Sequence, residues 1–203
     1  LFAILIAAGW PIWFLLLTSI VAMALIIERF IALQQNKIIP PGLLMDVLNL
    51  HQNNQVTSEV LAKLRTNSPF GQILAVGLQN AGASREVLKS AVEDVGSHVA
   101  HKLSRFLNTI GTIASAAPLM GLFGTVVGMI EIFGATGGTG GTANVAQLGH
   151  GISVALYNTG FAILIAIPAL IAYRYFRGKV DDLVMEMEQQ VVRLIDVVQG
   201  VRK

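Results

Sequence analysis

The 203-residue chain contains no cysteine, which excludes a disulfide framework, a thiolate zinc site and cysteine catalysis and leaves the compartment open. Charge is scarce as well. Asp, Glu, Lys and Arg make up 13% of the residues, against roughly 25% in a soluble domain, so there is too little polar surface for the whole chain to dissolve in water. The four histidines are scattered and suggest no metal site. The net charge of +2 is small, and basic residues stand beside acids rather than in a Lys/Arg-only run, so no nucleic-acid partner is indicated. No nucleophile, base and oxyanion donor fall together. Neither an enzyme nor a cofactor is expected.

What the chain does have is apolar length. A helix crossing about 30 Å of hydrocarbon needs roughly 20 apolar residues, and residues 1–27, 109–133 and 148–173 meet that need. An all-α membrane protein with three spans and long helical extensions is predicted. The first stretch has neither a basic segment before it nor a small-residue cleavage motif after it, so it reads as a span rather than a signal peptide. Within it, Pro11 suits a helix start and Trp10 and Trp13 suit an interfacial belt, so the continuous span is predicted to begin near Pro11. The chain opens on Leu1 rather than Met, and a few preceding residues are expected.

All fourteen Lys and Arg lie between Arg29 and Arg105 or between Arg174 and Lys203. The positive-inside rule makes those regions cytoplasmic. The expected order is a first span to residue 31 with an outside N-terminus, a cytoplasmic helical region at 32–108, a second span at 109–133, an outer loop at 134–147, a third span at 148–173, and a cytoplasmic C-terminal helix at 174–203. The loop segment from Gly134 to Thr142 is glycine-rich and uncharged, which suits a connector. It lacks the Lys-Ser/Thr of a phosphate-binding loop.

Between the first two spans, Leu43, Leu44, Val47, Leu48 and Leu50 have helical spacing after the Pro40-Pro41-Gly42 turn. Ser84 is predicted to cap a helix whose apolar stripe is Val87, Leu88, Ala91, Val92, Val95, Val99 and Leu103. With no proline ahead, that helix is expected to run straight into the second span. The tail carries a matching stripe of Val180, Leu183, Val184, Met187, Val191, Leu194, Ile195 and Val198. Both stripes read as helix packing.

Within the spans, Gly121, Gly124, Thr125 and Gly128 recur at three- and four-residue spacing, forming a small, weakly polar strip that lets helices approach closely. Pro118, just before the strip, and Pro168 in the third span are expected to share in helix packing with these glycines. In the third span Ser153, Asn158, Thr159 and Gly160 are small or polar, and Pro168 follows. Asn158 is expected to face protein or a wet cavity, because an unpaired amide is costly in hydrocarbon. Thr125 lies about eight residues from the outer end of its span and Thr159 about eleven from the start of the next, which puts both roughly 12–17 Å deep. Two hydroxyls at matched depth form either a polar ring in an assembly or interhelical hydrogen bonds. Glu131 is the only acid between Asn108 and Tyr173, and its shallow position suits ion entry or a partner contact. No span carries a central carboxylate, so a proton carrier would have to come from a partner.

The run Pro118-Leu119-Met120-Gly121-Leu122-Phe123-Gly124-Thr125-Val126-Val127-Gly128-Met129 resembles the ExbB/TolQ branch of the MotA/TolQ/ExbB proton-channel family. Gly151-Ile152-Ser153-Val154-Ala155-Leu156-Tyr157-Asn158-Thr159 and Ala166-Ile167-Pro168-Ala169 are similar to it too, as are Gly9-Trp10-Pro11 and Ile27-Glu28-Arg29-Phe30. The resemblance implies a homopentamer in the Gram-negative inner membrane around a dimer of single-span ExbD/TolR-type partners whose intramembrane aspartate carries the ion. The output goes to TonB and outer-membrane import, or to the Tol-Pal system. The resemblance implies that Thr125 and Thr159 are pore-facing threonines, and Asn158 and Ser153 are expected to line the ion path with them. It also exposes a departure: Val154 stands where well-known ExbB proteins have glutamate. A non-conducting membrane scaffold is the alternative from another class, and flagellar-type torque generation fits less well because that branch has four spans.

Overall fold

A computed structural model describes residues 9–137 and 145–200. Among them are eight helices and no strand: α1 Pro11–Ala32, α2 Gln35–Ile38, α3 Leu43–Gln52, α4 Ser58–Asn67, α5 Pro69–Gln79, α6 Arg85–Leu103, α7 Leu107–Gly137 and α8 Val145–Val198. Three helical stretches are long and apolar enough to cross a membrane, and the chain is an all-α membrane protein. α1 begins at Pro11, where a missing N–H costs nothing because the first helical donors have no partner in the helix. Gly134 to Gly137 are helical. The rest of the glycine-rich segment, at 138–144, lies outside the described residues, as does the stretch before Gly9.

The chain divides into two compact units, residues 1–28 with 106–175 and residues 29–105 with 176–203. The first holds most of α1, all of α7 and the N-terminal part of α8. Its core sets Leu15 against Ala117, Ala162, Ile165 and Ala166. Most side chains pointing away from that core are large and apolar, among them Leu17, Ile20, Leu119, Val126, Leu164 and Ile171. Water would penalise such an exterior, whereas lipid accepts it.

The second unit is built around α5. Phe70, Ile73, Leu74, Ala75 and Leu78 are all buried there, and a short helix that is apolar on most sides is a core helix rather than a span. Side-chain caps start α4, α5 and α6. Thr57 accepts from the Val60 N–H at 3.3 Å, Ser68 from Gly71 at 3.0 Å and Ser84 from Val87 at 3.4 Å. Each supplies an acceptor to a donor that no carbonyl can reach at a helix start. The tail stripe on α8 packs inward through Val180, Leu183, Met187, Val191, Leu194 and Ile195. Polar contacts on its flank join Gln35 to Glu186 at 2.9 Å, Arg85 to Asp196 at 3.0 Å and the Gln199 amide to the Ala83 carbonyl at 3.1 Å.

Two expectations require correction. α6 does not run straight into the second span: it ends at Leu103, and α7 starts at Leu107 after a break in which Phe106 takes φ 63°. That left-handed conformation ends a helix without proline or glycine. Val87, placed on the inward stripe of α6, is exposed, while Leu88, Val92, Val99 and Leu103 are buried as expected.

Candidate functional site

The site grows from the pairing of α7 with α8. Buried positions on α7 fall at Leu107, Ile110, Ala114, Ala117, Gly121, Gly124, Gly128 and Ile132, steps of three or four residues that keep one face turned to a neighbouring helix. The facing positions on α8 are Gly151, Ala155, Asn158, Ala162, Ile165 and Ala169. The numbering runs in opposite senses along the two. A Cβ built on Gly121 would meet the Ala162 Cβ at 2.4 Å, one on Gly124 the Asn158 Cβ at 2.7 Å, and one on Gly128 the Ala155 Cβ at 3.6 Å. α7 and α8 are therefore antiparallel in this unit, with position 124 level with 158.

Glycine costs about 1 kcal/mol relative to alanine in a helix interior. In an apolar surrounding, where burial of apolar surface gives no drive for association, close backbone approach and dispersion contacts offset that cost. Gly121 and Gly124 are required by contact, since no side chain fits either position without displacing α8. Gly128 is merely compatible with it. Asn158 is completely buried in this seam, and its Nδ2 donates to the Val154 carbonyl at 3.1 Å.

The register brings Thr125 and Thr159 to one level, each one position beyond the facing pair Gly124 and Asn158. Because the helices are antiparallel, a step of about 100° past the seam on each turns both hydroxyl residues to the same side of the pair. α1 occupies the other side. The Trp10 ring meets Phe123, one position before Gly124, edge to face at 6.0 Å. Trp10, Pro11 and Phe14 line a cleft of about 420 Å³ with Ala116, Leu119, Met120 and Phe123, and Phe161 packs at the core containing Leu15. The threonine edge is thus the one α1 leaves open. Both threonines are partly exposed. Each hydroxyl donates to its own helix, Thr125 to Leu122 at 2.6 Å and Thr159 to Ala155 at 3.3 Å. That bond uses the donor and leaves oxygen lone pairs for a water or an ion.

The other sequence-selected residues stand elsewhere. Glu131 follows Thr125 by six positions, about 120° around the helix, and is exposed on another side. Ser153 precedes Thr159 by the same interval; it is partly exposed and donates to the Gly149 carbonyl at 2.9 Å. Pro118 and Pro168, expected in the helix packing, are instead exposed and lie outside the α7–α8 seam. Pro118, seven positions before Thr125, shares its edge, whereas Pro168 is about half a turn around from Thr159. Val154 is buried, with its Cγ1 beside Gly9, so valine at that position suits its apolar surroundings. Sequence reasoning passed over the alanines of α8. Their signal was available in the three-four spacing of Ala155, Ala162 and Ala169 opposite the glycines.

Three membrane-length helices, two of them joined along glycine and alanine with two threonines beside the joint, define a polytopic membrane protein. The chain belongs to the MotA/TolQ/ExbB proton channel family, which matches residues 65–189. No curated protein matches it closely enough to serve as a relative. Family membership makes this a proton-channel or motor-type membrane subunit, from a family associated with transport rather than catalysis, whose members oligomerise and work with partners.

Proposed function

We propose that the chain is the housing subunit of an ExbB-type motor, in which Thr125 and Thr159 line the ion path while the acid that carries the proton belongs to another chain. The observation carrying this reading is the pair of hydroxyls at one level on the edge that α1 leaves open. In an assembly that edge faces the central axis, and copies of the pair form a ring of weak oxygen ligands around the partner's spans. Hydroxyls suit such a ring. They exchange hydrogen bonds with a passing acid or water without holding a charge of their own in low dielectric.

Asn158 supports this edge from behind by fixing the close approach at Gly124, and its amide touches the path only through that packing. Ser153 and Glu131 belong to other surfaces, Glu131 suiting ion entry or a partner contact near the end of α7. In this reading five copies enclose a dimer of single-span ExbD-type partners in a Gram-negative inner membrane. The N-terminus is periplasmic and the C-terminus cytoplasmic, following the distribution of Lys and Arg. The work goes to a TonB-type transducer for outer-membrane import.

Complementation tests the output. Cells lacking their own TonB-linked channel, supplied with this chain and its partner, are expected to regain siderophore-dependent growth. Growth restored only in cells lacking the Tol-Pal channel would assign a TolQ-type role instead. The self-satisfied hydroxyls, each bonded to its own helix, are what a non-conducting scaffold would also have. Proton flux through the assembled complex, with the partner's aspartate neutralised as a control, separates the two: a scaffold shows no difference between the complex and that control.

A further inference from the structure

Within the second unit, α6 and the tail of α8 run antiparallel and are tied at one end, where Arg85 meets Asp196 at 3.0 Å and the Gln199 amide donates to the Ala83 carbonyl at 3.1 Å. Past that closure a groove of about 450 Å³ lies between them. Its floor is Ile73 of α5 with Val92, Met187, Val191 and Ile195, all buried. Counting along the two helices from the Arg85–Asp196 contact sets Lys89 level with Val192, Glu93 with Glu188 and Ser97 with Val184. All six line the groove. Gly96 lines it too. Glycine inside a helix costs about 1 kcal/mol relative to alanine, yet a Cβ on Gly96 would meet nothing within 4 Å, so packing within the chain does not require it.

The lining states the chemistry of what fits. Val192 on one bank is 56% exposed, an apolar surface that water disfavours. Glu93 and Glu188 put a carboxylate on each bank at one level, two like charges that a cation between them relieves. Glu93 already pairs with Lys89 at 3.4 Å, but both side chains are well exposed, and such a pair is worth little in water. An apolar face with a central cation is the pattern of a basic amphipathic helix, which binds by laying that face into a groove. A second copy of this chain does not offer it. On the helices of this unit after α1, the large apolar residues left exposed are Met45, Val87, Met185 and Val192, no three of them at helical spacing.

We propose that this groove docks a basic amphipathic helix of a membrane partner, its apolar face on the Ile73 floor and a Lys or Arg between Glu93 and Glu188. The rule that gathers the Lys and Arg of this chain on one side of the bilayer also gathers those flanking a partner's span, and the groove belongs to the Lys/Arg-bearing unit. Only that source of the helix rests on the orientation proposed above. The groove takes no part in the ion path.

Peptide binding to the full chain, assembled in zwitterionic lipid nanodiscs, tests this without any flux measurement. The probe is a labelled helical peptide of about 14 residues with leucine on one face and lysine on the other, and the control peptide carries glutamate for lysine. The lysine peptide is expected to bind at least about tenfold more tightly than the control. Gly96→Leu, which fills the groove without altering charge, and Glu188→Lys are each expected to weaken that binding by about tenfold or more. Glu59→Lys, on α4 and outside the groove, should leave it unchanged. No binding, equal binding of the two peptides, full binding to Gly96→Leu, or an equal loss in Glu59→Lys would each overturn the proposal. Shielding of Gly96→Cys from a water-soluble thiol reagent in the assembly, relieved on dissociation, would give the groove to a neighbouring copy and overturn it as well. If Gly96→Leu fails to assemble, Glu188→Lys decides against the same Glu59→Lys control.

Discussion

Gly124 faces Asn158 so closely that a methyl group on the glycine would lie 2.7 Å from the asparagine Cβ and 2.8 Å from its Cγ. The contact fixes the α7–α8 register, and the register sets Thr125 and Thr159 at one level. One missing side chain thereby aligns two hydroxyl groups on different helices.

The glycines of this strip are therefore predicted to differ in tolerance. Gly121→Ala and Gly124→Ala should each cost about 1–3 kcal/mol, the usual size of overpacking in a tight interior. The nearest obstruction in each case is a Cβ of α8, on Ala162 for Gly121 and on Asn158 for Gly124, and a Cβ cannot swing aside. Gly128→Ala meets nothing nearer than the Gly151 carbonyl at 3.4 Å and should cost little. Gly160→Ala has open space around it and should be neutral or stabilising by up to about 1 kcal/mol through helix propensity. Thermal melts of the four variants in one detergent check the order.

A second prediction concerns the corner between α4 and α5. A Cβ on Gly71 would lie 2.4 Å from the Leu64 carbonyl oxygen, a backbone atom, and the same residue's N–H is capped by the buried Ser68 hydroxyl. Ser68→Ala should cost about 1 kcal/mol, as for other lost caps. Gly71→Ala should cost more, because α4 itself must move. Equal melting temperatures for the two variants would count against this account of the corner.

Much of this was legible in the sequence. Hydropathy located the three spans, Pro11 marked the start of α1, and three- and four-residue spacing picked out Gly121, Gly124 and Gly128. Depth arithmetic matched Thr125 with Thr159 without knowledge of the helix register. The break at Phe106 was not legible, because Ser104-Arg105-Phe106 contains neither proline nor glycine and no residue type there announces a left-handed φ of 63°. The seat of Asn158 was half legible. Its amide demanded protein or water, and only the bare backbone of Gly124 opposite it decided for protein. Glu131 and Ser153 drew attention by residue type, but they lie about 120° around their helices from the threonines, which depth along the axis does not register.

Cysteine substitution gives a clean reading of the open edge, because the chain has no cysteine of its own. In the assembled complex Thr125→Cys and Thr159→Cys should react with a small water-soluble thiol reagent, while Leu119→Cys and Leu164→Cys, on other faces, should react at least about tenfold more slowly, since thiolate chemistry needs water. Similar rates at all four positions would mean that the threonine edge is no wetter than the lipid-facing surface.

Proton flux into vesicles containing the chain and its single-span partner is the most direct measurement of the central claim. Thr125→Val with Thr159→Val keeps shape and removes both oxygens. The double variant is predicted to assemble normally and to lose flux by about tenfold or more, equivalent to at least about 1.4 kcal/mol on the barrier. Full flux from a correctly assembled double variant would contradict it.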